Sequence, residues 1–295
     1  MLLQGTGAEM KQTKHSETNR ILGYPSDARL LIINADDFGM CHATNVAILR
    51  SIKEGTVCST TLMAPCPWAA HAMHQLRDDS DISFGVHLTA IGDNPDYPWR
   101  PLANRNDVSS LVDAVGHFYT FDRMHELLAK VELNELELEF RTQIETVLAA
   151  GLKPTHLDWH ALRIAKKREI FDLMFKLSRE HGLALRVRDR SPIEWVHRQG
   201  LPANDYDFLD SYGLGAVGKM ELYLQLLHDL PVGLNEWAVH PGLADAELLA
   251  IDPNGARIRQ ADLDCMVSAA IRETIMREGI MLINYGMLQA VWQGR

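Results

Sequence analysis

A chain of 295 residues can bury a large core, as a single α/β barrel or as two smaller domains. Its 39 acidic against 29 basic side chains, a formal charge of −10, leave no basic surplus for phosphates and argue against a nucleic-acid partner. No stretch approaches the roughly 18–20 apolar residues that span a bilayer, and Cys41, Cys58, Cys66 and Cys265 form no CxxC pair; reduced thiols in a cytoplasmic protein with no membrane partner are expected.

Residues 1–27 are polar and aperiodic and lack the apolar core of a signal peptide. They are read as a flexible extension, or one packed on the body or on a second copy of the chain, which makes a homodimer a candidate assembly. The body is assigned to 28–295. Its first strand is Leu30 to Gly39 (LLIINADDFG), an apolar run that delivers two adjacent carboxylates and a glycine. In a strand Asp36 and Asp37 point to opposite faces, and a turn starting at Phe38-Gly39 would bring both to one pocket. Taken alone, the pair is equally well read as a solvated turn capping the helix over 43–53.

Strand two is TVCSTTLM (56–63), followed past Pro65 and Pro67 by a short helix over 68–76; strand three, ISFGVHL (82–88), carries His87 at its end. The segment 89–120 is rich in Pro, Asp, Asn and Gly, and a loop that long in a compact domain is usually functional. A helix over 136–150 ends at Gly151, strand four is PTHLDW (154–159), a helix covers 168–181, and strand five is 183–187. An irregular stretch over 192–212 precedes a helix over 219–229, strand 234–240 (LNEWAVH), a long helix over 262–278 and a last strand, 280–284. This alternation implies a parallel sheet covered by helices, and seven or eight units favour a closed (β/α) barrel. No GxGxxG follows the first strand, which counts against a dinucleotide fold.

The strand ends hold the chemistry. Period-two alternation puts His156, Asp158 and His160 on one face, with Leu157 and Trp159 toward the helices. A carboxylate with two imidazoles is a common divalent-metal shell, although a lone strand-end histidine is more often structural. His240, before Pro241-Gly242, is as readily a turn residue as a functional one. Trp68, Trp99 and Trp159 lie in or after strand ends and are candidates for stacking on a sugar ring, against the commoner role of tryptophan in cores. Arg186, Arg188 and Arg190 alternate after strand five and are candidates for a substrate clamp, against the commoner role of solvated ion pairs.

The ordered set NADDFG (34–39) with Asn45, TVCSTTLM, GVHL (85–88), PTHLDWH (154–160) and His240-Pro241 resembles the YdjC-like family of carbohydrate deacetylases, which includes the chitooligosaccharide deacetylases. The resemblance covers about Leu30 to the end. It implies a single-domain, distorted TIM-like (β/α) barrel that hydrolyses the N-acetyl group of an amino sugar with one divalent metal ion, zinc or magnesium, with cobalt or manganese as alternatives. Carried over, Asp37, His87 and His160 are the metal ligands and Asp36 the general base. His240 is a candidate acid or oxyanion-side partner. His156, Asp158, Arg188, Trp68 and Trp99 are expected to support these groups or touch the saccharide. The chain departs from the family's HxDxHxH at Leu162, from the Ser or Thr after DDFG at Cys41-His42, and from the Asn-Gly after strand two at Pro65-Cys66-Pro67-Trp68. Two other readings compete: hydrolysis of another amide or of a phosphoester at the same metal, and a non-catalytic saccharide-binding barrel, which the loss at Leu162 suggests.

Overall fold

The computed structural model describes residues 16–162 and 168–294. A curled, wholly parallel sheet follows from runs of Leu, Ile, Val and Thr that can be buried on both faces. Its strands are β1 (Arg29–Phe38), β2 (Ser59–Leu62), β3 (Phe84–Leu88), β4 (His156–Trp159), β5 (Ala184–Leu185), β6 (Leu209–Asp210), β7 (Gly233–Val239) and β8 (Met281–Leu282). Their order is β5-β4-β3-β2-β1-β7-β6, with β8 paired to the start of β1. β1 is the axis: it pairs with β7 from Arg29 to Ala35, and its other edge is shared between β8 at Leu30–Leu31 and β2 from Asn34 onward.

The sheet is a half-barrel within a distorted TIM-like architecture, not the closed ring that the strand count favours. Among the described residues no ladder joins β5 to β6. Both are only two residues long, and a side chain spans the seam instead. Asn204 donates from Nδ2 to Val187 O (2.8 Å) and accepts from Val187 N (3.4 Å). The neighbouring Asp205 makes a backbone bond to Leu234 O (2.8 Å) and accepts from Leu234 N (2.7 Å), so this segment stands in for a strand beside β7.

Other boundaries differ from the sequence expectation. Residues 1–15 lie outside the described residues, and 16–27 pack on the body, the second of the two arrangements expected for this segment. Ser16 caps a helix, Glu17–Leu22, that ends at Gly23 in the left-handed region (φ 78°). Ser16 Oγ donates to Asp205 Oδ2 (2.5 Å), and the Thr18 hydroxyl donates to Ala203 O, so the helix is docked over the seam. The expected long helix over 262–278 is two, Ala256–Met266 and Ala269–Arg277, with Ser268 capping the second. The stretch over 192–212, expected to be irregular, includes most of a helix, Arg190–Arg198, and all of β6.

One glycine sets the approach of β3 to β4. A Cβ at Gly85 would lie 2.6–2.7 Å from the ring atoms of His156, and that ring cannot retreat because it is stacked on Tyr285 at 3.6 Å. Gly85→Ala is therefore expected to cost about 1–3 kcal/mol in urea denaturation. Gly85→Ala with His156→Ala should cost less than the sum of the two single changes.

Candidate active site

The carboxyl ends of the strands open on a cavity of about 870 Å³. Asp36 and Asp37 both line it, because β1 breaks its alternation at Asp37 itself, one residue earlier than expected. Asp37 has φ 73°, and the register against β2 shifts between Ala35 and Phe38. Asn45 holds the turn that follows, accepting from Gly39 N (2.6 Å) and donating to Trp68 O (3.2 Å).

Each carboxylate has its own arginine. Arg186 grips Asp36 with both terminal nitrogens (2.7 and 2.8 Å) and also pairs with Asp158 (2.8 Å) and, through Nε, with Glu236 (2.6 Å). Tyr285 donates to the second oxygen of Glu236 (2.7 Å), and Asn34 donates to Asp36 (2.8 Å). Arg259, on helix Ala256–Met266, lies 2.8 Å from Asp37 Oδ2 and is braced by Asp252 (3.1 Å). Burial pushes the pKa of both aspartates up, but the arginines outweigh it and hold them below the ordinary carboxylate range. Glu236 ends above that range, because burial dominates there.

The other oxygen of Asp37 faces two imidazoles, His87 Nε2 at 3.4 Å and His160 Nδ1 at 3.2 Å. One ligand atom from each of Asp37, His87 and His160 lies within 4.8 Å of the others. The far nitrogen of each ring is held by a carboxylate: His87 Nδ1 by Asp158 (2.8 Å) and His160 Nε2 by Asp93 (2.8 Å). Burial pushes both rings down, yet these carboxylates and Asp37 raise them to about 9 for His87 and about 10 for His160. Buried carboxylates outnumber guanidiniums here, and the imidazoles take up protons to compensate. A divalent cation fits the donor set: its ligand nitrogens face one oxygen, and carboxylates orient the rings from behind.

The remaining expected residues divide. Asp158 orients His87, from beneath the cavity. His156 is buried behind Arg186, bonds Thr155 Oγ1 (3.0 Å), has no partner at Nε2 among the described residues and does not line the cavity. Burial, with Arg186 nearby, pushes its pKa well down. His240 lines the cavity from the end of β7, and Arg188 lines it, half-exposed over the face of Phe208 (5.3 Å). Trp68 is away from the cavity, against His42 (4.9 Å) and His71 (5.4 Å). Trp99 is buried behind His160, ring to ring at 5.3 Å, and does not line it. Trp159 does, beside Phe208, although alternation turns it toward the helices; the chain bends at Ala161 (φ 49°) directly after the four-residue β4. Leu162 lines the cavity too.

Sequence reasoning passes over Asp93, Glu236 and Arg259, and prefers Arg188 to Arg186. The alternating arginines are a usable signal for the last. Asp93 stands in the long loop over 89–120 and Arg259 just ahead of the expected helix over 262–278, with nothing local to mark them.

Comparison with known proteins follows the same outline. The family model described as YdjC-like protein matches residues 30–277. The chain is 31% identical over 269 residues to a carbohydrate deacetylase of Enterococcus faecalis, covering 88% of this chain and 97% of that one. It is 28% identical over 264 residues to a chitooligosaccharide deacetylase of Yersinia enterocolitica, covering 87% and 98%. A crystal structure from Enterococcus faecalis, of a protein provisionally named for cellobiose-phosphate cleavage, superposes with a TM-score of 0.76 at 28% identity over 88% of this chain and 98% of that one. Among the described residues no helix is long and apolar enough to cross a membrane.

Removing Arg186 strands Asp36, Asp158 and Glu236 in the interior. Arg186→Met is expected to cost about 3–5 kcal/mol at neutral pH by urea denaturation. In the parent, Arg186 keeps Asp36 below its unfolded pKa, so its contribution is present above that value and lost as pH falls. The gap between parent and variant should narrow toward acid pH.

Proposed function

This chain belongs to the YdjC-like protein family, and we propose that it is a metal-dependent hydrolase that removes the acetyl group from an N-acetylated amino sugar or oligosaccharide. The convergence of Asp37, His87 and His160 on one point of the cavity wall, with Asp36 next to it, carries the proposal. A divalent cation held by these three would supply Lewis acidity, drawing charge from the amide carbonyl and acidifying water. The mixed oxygen and nitrogen donors suit zinc, with cobalt, manganese or magnesium as alternatives.

The chain's own residues do the rest. Asp36 accepts the proton of the attacking water; Arg186 and Asn34 keep its carboxylate ionised and fix its plane. Nε2 of His240, protonated from solvent before the carbon–nitrogen bond breaks, gives that proton to the leaving amine, and Asp36 returns the water's proton to solvent afterwards, so the proton count closes over the turnover. β1 lies between the strands that carry His87 and His160 and the one that carries His240, so base and acid approach the amide from adjacent strands. Trp159, Phe208 and Tyr212 offer aromatic walls for a pyranose ring, and Arg188 offers donors to its substituents. A second reading is hydrolysis of another amide or of a phosphoester at the same site; the Enterococcus faecalis structure is named for cleavage of a phosphorylated sugar, a name that does not say which bond breaks.

Purified protein assayed on a panel of N-acetylated and phosphorylated saccharides should release acetate and amine, lose activity to chelator and regain it with metal. Phosphate release without acetate would reject the deacetylase, and amino-sugar binding without turnover would favour a binding barrel. Asp37→Ala and His160→Ala should lose the metal. Asp36→Asn should retain it while kcat drops by on the order of 10²–10⁴.

Calorimetry in buffers of different ionisation enthalpy tests the site without substrate. With His87 and His160 raised to about 9 and about 10, both are protonated at pH 7.5 in the cation-free protein. Loading should then release about two protons, and apparent affinity should rise with pH until those values are passed.

A further inference from the structure

His240 sits at the head of a buried polar chain that the reaction scheme above leaves unused. Its Nδ1 is 3.0 Å from Ser211 Oγ, and Ser211 is 2.6 Å from Asp262 Oδ2. That same oxygen accepts from the backbone N–H of His240 (3.0 Å). The other oxygen of Asp262 takes Lys219 Nζ (2.7 Å) and the Tyr223 hydroxyl (2.8 Å). Ser211, Asp262, Lys219 and Tyr223 are all buried.

This arrangement fixes where hydrogens go. A carboxylate surrounded by donors has no hydrogen to give, so the single hydroxyl hydrogen of Ser211 points at Asp262. Only the lone pairs of Ser211 then remain for His240, and Nδ1 must carry the hydrogen. Asp210 Oδ1, 4.0 Å from Nδ1, stands on the same side and reinforces that polarity. We propose that Ser211, locked by Asp262, is a positioning residue that holds neutral His240 in the Nδ1–H tautomer. Nε2 is thereby left as the atom that takes up and delivers a proton in the cavity. The hydroxyl also keeps the carboxylate one group away from the ring. Lys219 covers the far side of Asp262, so His240 is oriented by a neutral group rather than clamped by a naked charge.

The assignment rests on the proposed role of His240 for its use in catalysis but not for its geometry, and two measurements keep these apart. Long-range ¹H–¹⁵N correlation on histidine-labelled, metal-free protein, with the His240 signal identified by its loss in His240→Asn, should show hydrogen on Nδ1 in the neutral ring. Ser211→Ala should bring in the Nε2–H form, and Ser211→Thr should restore the parent pattern. Acetate release should fall on the order of tenfold to a hundredfold in kcat for Ser211→Ala at unchanged KM, with recovery in Ser211→Thr. An Nε2–H tautomer in the parent, or an unaltered tautomer in Ser211→Ala, would overturn the proposal. The expected tautomers in a protein that releases no acetate from any substrate would leave the Ser211 assignment standing and reject the deacetylase reading instead.

Discussion

Two neighbouring aspartates buried at the end of one strand cannot both stay ionised unless each is compensated from a different direction. That constraint organises this protein. The positive φ at Asp37 swings its carboxylate away from that of Asp36, so Arg186 can reach one and Arg259 the other. The arginines arrive from distant parts of the chain, one just past β5 and the other in helix Ala256–Met266. The same helix carries Asp262, one turn beyond Arg259, which reaches the Ser211–His240 pair. One helix thus supports a proposed metal ligand and the proposed proton donor together.

The compensation is deliberately incomplete. Arg186 is divided among Asp36, Asp158 and Glu236, and Asp93 adds a further carboxylate at the rim. The shortfall appears in the imidazoles, whose proton affinity rises against the effect of burial. A site that raises buried histidines in this way is asking for positive charge at the point they share with Asp37. A cation held there would answer that demand while leaving Asp36, tied to its own arginine, as a carboxylate next to it.

Much of this was legible in the sequence, for identifiable reasons. β1 and β3 are apolar-rich runs that end in Asp and His, β7 runs into His-Pro, and β4 alternates His and Asp with Leu and Trp, so the strand ends and their histidines could be placed from pattern alone. The family likeness then supplied the order of the motifs. Alternation misled at Trp159, because it holds only while a strand continues, and β4 stops there. Trp68 and Trp99 were drawn in by their places in the sequence, but Trp68 packs on His42 and His71 away from the cavity and Trp99 is buried behind His160. Arg259 and Asp93 were invisible because the partners that tie them to the site, Asp37 and His160, lie more than sixty residues away in sequence, and no local spacing encodes a long-range ion pair. The seam was missed because Asn204 imitates a strand with its side-chain amide.

Backbone strain is distributed in the same way. Among the described residues Asp37 (φ 73°), Ala161 (φ 49°) and Asp189 (φ 65°) are the non-glycine residues with positive φ, and all three line the cavity. Each such residue costs on the order of 1–3 kcal/mol and persists only where its surroundings over-determine it. The surroundings here are the interior ion pairs. Arg186, just beyond β5, reaches Asp158 on β4, Asp36 on β1 and Glu236 on β7, and so ties together strands from both sides of the open seam. A ladder between β5 and β6 would close the barrel from outside. The guanidinium holds the curl from within, and it does so with the groups that set the charge of Asp36. Fold and site therefore draw on one interaction, and the half-barrel tolerates its seam because the chemistry at its mouth binds the two edges together.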